Sequence, residues 1–140
     1  MGKDIIEAIQ HAVEAESYAQ ELRMELITLE KGFSAVEMTY DPSTMNNIYG
    51  RAHGGAIFGL IDEAFETVSQ ISGTIAVALN VNVTYVNSPE PGSRLRAEAR
   101  EVSETKKTAT YDIKVTDQNR QLVAICQALA YRTDKPIPFL

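Results

Sequence analysis

The sequence predicts an α+β fold in which an antiparallel β-sheet wraps around one long helix. Three observations predict it. Apolar residues at Ile57, Leu60, Ile61, Ala64, Phe65, Val68 and Ile71 keep the three-and-four spacing of a single buried helical face. The stretches on either side of that helix alternate in polarity or are rich in β-branched residues, and Gly, Pro, Asn or Asp turns bound them. Only one helix lies among them, and a doubly wound parallel sheet would need a crossover helix between successive strands.

Each element follows from its local pattern. Ile5, Ile6, Ile9, Ala12 and Val13 recur at helical spacing, so an N-terminal helix is expected through residues 3–22, as a lid or flank. Residues 24–30 and 33–40 alternate around Lys31-Gly32 and read as a β-hairpin. Asp41-Pro42-Ser43 ends the second strand and starts a loop to Asn47. The central helix follows, and Ser72-Gly73 stops it. Residues 75–86 form a long strand with Val81, Val83 and Tyr85 on one face and Asn80, Asn82 and Thr84 on the other, so one face should be dry and one partly polar. The turn Pro89-Glu90-Pro91-Gly92 leads to strands at 94–104, 108–116 and 122–131 in hairpin order, the last apolar enough to be central. Such a sheet leaves edge strands, and a second copy is expected to pair with it.

Composition narrows the function classes. A chain of 140 residues with 44% hydrophobic residues suits a single globular domain over 1–140, with the helix of 1–22 appended. A net charge of −6 argues against nucleic-acid and anionic-membrane binding, which rely on a basic surface. The lone Cys126 makes no internal disulfide, and no run approaches the roughly 18 apolar residues of a membrane helix. A cytoplasmic protein is expected.

The chemistry concentrates where the loop meets the central helix. His53-Gly54-Gly55 places two residues without Cβ at the helix start, where free amides and the positive end of the helix dipole suit a developing oxyanion. On a helical wheel Asp62 borders the apolar stripe, Glu66 lies one turn further, and Glu63 points to solvent. Backbone donors and a carboxylate together suit acyl transfer. The plainer reading is that Gly-Gly eases the start of a core helix and Asp62 is an ordinary border carboxylate.

Asn47-x-x-Gly50-x-x-His53-Gly54-Gly55-Ala56-Ile57-Phe58, followed by Asp62-x-Ala64-Phe65 and Pro91-Gly92-x-x-Leu95-x-Ala97-x-Ala99, resembles the hotdog superfamily, specifically acyl-CoA thioesterases of the phenylacetate-degradation type. The resemblance runs from about Met24 to Arg132. It implies a homodimer, commonly paired into a tetramer, with the site shared across the dimer interface. It assigns Asn47 to positioning the attacking water or carboxylate, and the Gly54 or Gly55 amide to polarising the thioester carbonyl. It has His53 orient the loop near the sulfur, and makes Asp62 of the other subunit the base or nucleophile. Two departures stand out: Ala78 and Glu66 replace hydroxyl residues found in some relatives, and Glu66 beside Asp62 should raise one carboxyl pKa by repulsion.

The remaining candidates are weighed against that pattern. Lys106-Lys107, with Arg94, Arg96 and Arg100 on the neighbouring strand, is the one concentration of positive charge, read as a contact to CoA phosphates over a solvated turn. Glu66, Lys106, Lys107 and Arg94 are therefore the expected substrate-binding residues. His53 lacks a second His or Cys at ligand spacing, so no metal and no cofactor are expected. Cys126, beside Ile125 and Ala128, reads as a small core residue. Hydrolysis of aryl- or medium-chain acyl-CoA is the expected activity, and the alternative is a module that holds acyl-CoA without cleaving it.

Overall fold

A computed structural model of the chain describes residues 2–140. The N-terminal segment is two helices, not one: α1 (Gly2–Ala15) and α2 (Ser17–Glu21). Glu16 between them is extended, at φ −74° and ψ 119°. Continuing the Ile5, Ile9, Val13 stripe would bring Glu16, Ser17 and Gln20 onto the buried face. The break changes the phase and buries Ala19 instead.

Strands β1 (Glu25–Glu30) and β2 (Phe33–Thr39) form the expected hairpin, with Gly32 at φ +77° in the turn, a conformation glycine adopts without a Cβ clash. A short helix α3 (Pro42–Met45) is capped by Asp41, whose side chain accepts the Ser43 N–H. Then come the central helix α4 (Gly54–Ser69) and strands β3 (Thr74–Tyr85), β4 (Arg94–Glu104), β5 (Thr108–Thr116) and β6 (Leu122–Pro136).

All six strands form one antiparallel sheet in the order β1-β2-β4-β5-β6-β3. The four later strands are thus not all in hairpin order: β4, β5 and β6 are, but β3 pairs with β6 at the far edge. Two prolines in the segment after β3 lack the N–H groups a ladder needs, and it crosses instead to β2, where Gly92 N–H donates to Tyr40 O. The last strand is interior, as its apolar run implies.

The sheet wraps α4. Ile57, Leu60, Ile61, Ala64, Phe65 and Val68 are buried against Val36, Met38, Leu95, Ala97, Ala99, Ile113 and Val115. Phe65 meets Tyr111 edge-on with ring centroids 5.6 Å apart. A buried hydroxyl pair, Ser34 Oγ and Thr67 Oγ1 at 2.7 Å, ties the C-terminal half of α4 to the start of β2, and Thr67 also donates back to the Glu63 or Ala64 carbonyl.

Strand β3 keeps the expected alternation over residues 80–84, where Val81 and Val83 pack against the core and Asn80, Asn82 and Thr84 are exposed, and departs from it at Tyr85 and at the residues before Asn80. Only Ala76 is buried, and Val77, Leu79 and Tyr85 stand exposed. A register shift between Ala78 and Asn80 interrupts the parity, and an edge strand has no neighbour to cover its apolar side chains within one chain.

Candidate active site

The loop before α4 is built by Asn47. Its Oδ1 accepts the Tyr49 N–H at 2.9 Å and the Arg51 N–H at 3.1 Å, while its own N–H donates to Arg51 O at 2.7 Å. Gly50, at φ +73°, supplies the left-handed residue this tight turn needs. Asn46 pairs with Ala52 across the loop, and Tyr40 donates its hydroxyl to Asn46 Oδ1. With Oδ1 engaged by the loop, the group Asn47 has left to offer is its amide Nδ2–H.

His53 caps α4. Its Nδ1 accepts the Gly55 N–H at 2.8 Å. With Nδ1 accepting, the donor the ring has left to offer is Nε2–H. The amides of Ala56 and Ile57 donate to His53 O. Gly54 N–H is the first-turn donor with no partner among the described residues, and it lies at the positive end of the helix. The expectation that either glycine amide is free thus narrows to Gly54. Tyr85 packs against that residue and donates its hydroxyl to Gly54 O at 3.0 Å.

Asp62 stands on the α4 face that the sheet leaves uncovered. It is exposed at the chain surface, yet burial of its carboxyl, followed by the charge of Glu16, raises its pKa. Eight residues of helix separate it from Gly54, about 12 Å along the axis. A carbonyl held at Gly54 N–H is beyond reach of the same chain's Asp62.

Glu63 does not point to solvent. It is 4% exposed, and its pKa is pushed up to about 10 by burial and then by Glu16 and Glu66. The α1–α2 elbow covers this flank of the helix: Tyr18 sits over Gly59, whose missing Cβ makes room for it, and Glu16 lies beside Glu63 and Glu66. Glu66 is pushed up to about 8, by burial first and Glu16 next, with Asp62 a lesser cause. The expected repulsion between Glu66 and Asp62 therefore exists, but the acid that raises Glu66 most is Glu16, while a hydrogen bond with Glu63 lowers it.

The basic residues divide into two groups. Lys106 and Lys107 lie exposed in the β4–β5 turn, Lys107 with its ammonium 6.0 Å from the Tyr131 ring centre. Arg94 is at the opposite end of β4, more than about 30 Å away along the strand. It is held by Glu25 at 2.6 Å and Glu37 at 3.1 Å, in a ladder that continues through Arg96 and Glu98 to Arg100. Arg94 and the two lysines of one chain do not form one phosphate site, and the charge of Arg94 is already matched. Cys126 is buried, and burial pushes its thiol up to about 11, which removes it as a nucleophile.

A family model described as the thioesterase superfamily matches residues 49–124. Acyl-coenzyme A thioesterase PaaI of Escherichia coli (strain K12) is 30% identical over 123 residues, 87% of this chain and 87% of that protein. The structure of the E. coli PaaI protein from the phenylacetic acid degradation operon is similar at a TM-score of 0.89 and 28% identity, over 95% of this chain and 96% of that one. A Streptococcus mutans protein solved bound to acetyl CoA has a TM-score of 0.75 and 33% identity, over 81% of this chain and 90% of its own.

Proposed function

Because the chain belongs to the thioesterase superfamily, we propose that it hydrolyses acyl-CoA thioesters, of the aryl or medium-chain class, at two equivalent sites shared across a homodimer. The observation that carries this reading is the separation of Gly54 N–H from Asp62. The two groups suit one reaction, an oxyanion donor and a carboxylate, but eight helical residues keep them apart within a chain. Two copies related by a two-fold axis bring Gly54 of each against Asp62 of the other, which runs the two α4 helices antiparallel.

In that arrangement the thioester oxygen accepts from Gly54 N–H, and the facing carboxylate activates the attack on the carbonyl carbon. As base it takes a proton from water; as nucleophile it forms a mixed anhydride that water then opens. Either route passes through a tetrahedral oxyanion held by Gly54 and expels the CoA thiolate toward the Nε2–H of His53. Asn47 offers its Nδ2–H groups at the same mouth. The raised pKa of Asp62 makes it a stronger base than an ordinary carboxylate.

The two-fold also places the lysines. The Ser34–Thr67 contact puts the C-terminal half of α4 at the end of the sheet from which the β4–β5 turn projects. With antiparallel helices, that end of one chain extends past Gly54 of the other. Lys106 and Lys107 thus come from the same subunit as Asp62, and meet the CoA phosphates of a thioester held by its partner's loop. Pairing into tetramers and a cytoplasmic location fit the same family pattern.

The test is a panel of aryl and aliphatic acyl-CoAs assayed for free thiol, followed by mixing of two inactive variants. In a mixed dimer of Asp62→Asn and His53→Ala, one of the two sites has both wild-type groups, so activity returns on mixing. If each variant stays inactive when mixed, Asp62 and the loop belong to one chain's site. If the wild type binds acyl-CoA and releases no thiol from any of them, a binding module replaces the enzyme reading.

A further inference from the structure

The α1–α2 elbow meets α4 through three carboxylates. Glu16 comes from the extended residue of the elbow, Glu63 and Glu66 from successive turns of α4. One oxygen of each lies within 4.8 Å of the other two. Glu63 is buried and aimed into this group, and no donor among the described residues reaches its Oε2; Glu16 Oε1 is likewise buried without a partner. The ion pairs of Arg51, Arg94, Arg96, Arg100 and Arg132 all lie elsewhere. The further charged group that acts on Glu66 is Asp62, another acid.

Buried carboxylates occur paired with cations or bound to metal, and here no side-chain cation among the described residues is within reach. We propose that Glu16, Glu63 and Glu66 form a site for an oxygen-preferring divalent cation of the Ca²⁺, Mg²⁺ or Mn²⁺ class, which ties the N-terminal elbow to the central helix. Three oxygens within 4.8 Å of one another leave a point no more than about 2.8 Å from all of them, close to the ~2.3–2.6 Å bonds of calcium. The carboxylates are all-oxygen ligands, which suit these ions over zinc or copper. Glu66 is exposed, and Glu16 and Glu66 form part of the wall of a cavity of about 510 Å³ between α1, α4, the start of β3 and the C-terminal segment. Water can therefore enter to complete the coordination shell. The site stands one helical turn from Asp62 but does not depend on thioester hydrolysis.

The experiment uses the full chain stripped with a chelator and then titrated separately with Ca²⁺, Mg²⁺ and Mn²⁺. Bound Mn²⁺ is counted by electron paramagnetic resonance, and the other two by calorimetry and thermal unfolding. The expected result is one ion per chain and a saturable rise in the unfolding midpoint, reversed by chelator. Glu63→Gln should lose both the ion and the rise. Glu16→Gln, altered on the elbow instead of on α4, should lose them as well, and it serves where Glu63→Gln does not fold. Absence of saturable binding of all three ions at millimolar concentration would overturn the proposal, as would wild-type binding by both variants. A stripped protein stabilised by acid but by no cation would assign the cluster to protons and overturn it too.

Discussion

His53 Nδ1 and the Gly55 N–H are 2.8 Å apart, so the histidine at the candidate site is also the cap of its central helix. One side chain thereby does two things. It satisfies the Gly55 amide, and it leaves Nε2 as the ring nitrogen not engaged with the helix.

Those two roles separate by substitution. His53→Ala should lose roughly 1 kcal/mol of stability with the cap and should also lose turnover. His53→Asn restores a capping oxygen but not the Nε2–H donor. Its unfolding midpoint should lie near that of the wild type while kcat stays reduced. Wild-type turnover in His53→Asn would make the ring a cap only.

The sequence carries the start of α4 but not the surroundings of its acids. His53-Gly54-Gly55 was recognisable because a helix start needs residues that tolerate close approach, and the apolar stripe behind it fixed where α4 begins. That Gly54 and not Gly55 keeps a free amide was not readable, since it depends on which way one imidazole turns. The solvent position expected of Glu63 fails because a wheel describes only its own helix: the group that buries it is the elbow at Glu16, 47 positions earlier in the chain. The strands were visible one by one through their alternation. Their order was not, because nothing local in Thr74–Tyr85 says that β6 is its neighbour.

The outer face of the sheet should be acid-labile at Glu37. Partial burial alone would raise its pKa, but hydrogen bonds from Arg96 and Arg94 outweigh that and hold it below its ordinary 4.5. A carboxylate depressed in the folded state stabilises the fold above its unfolded pKa and loses that contribution as pH falls through the folded value. Glu37→Gln should therefore unfold at a lower temperature than the wild type at pH 6, and the gap should narrow as pH falls below about 4.5. Parallel midpoints over that range would show that the ladder contributes nothing. The outer pairs, being surface pairs, should matter less, about 0–1 kcal/mol each.

Lys106 and Lys107 should act through charge on the substrate. With both changed to Ala, KM for acyl-CoA should rise more than kcat falls, and the effect should shrink at high salt. Arg94→Ala, which removes a guanidinium already matched by Glu25 and Glu37, should leave KM much closer to the wild type. The reverse pattern would move the phosphate contact to the Arg94 end of the sheet.

In the proposed reaction Asp62 is the acting carboxylate. Asp62→Asn keeps the shape of the side chain and removes the base, so hydrolysis should fall by on the order of 10² to 10⁴ with little change in CoA affinity. Full activity in this variant would remove Asp62 from the chemistry. A single turnover in ¹⁸O-water then separates its two possible roles. If Asp62 activates water, the label appears in the released acid and the protein carries none. If Asp62 is the nucleophile, the first released acid takes one of its own carboxylate oxygens and the label stays on the protein at Asp62, because water opens the mixed anhydride at the aspartyl carbon. Attack at the acyl carbon of the anhydride would instead label the acid, so trapping the acyl-enzyme with hydroxylamine completes the distinction: the aspartyl hydroxamate forms only along the nucleophilic route.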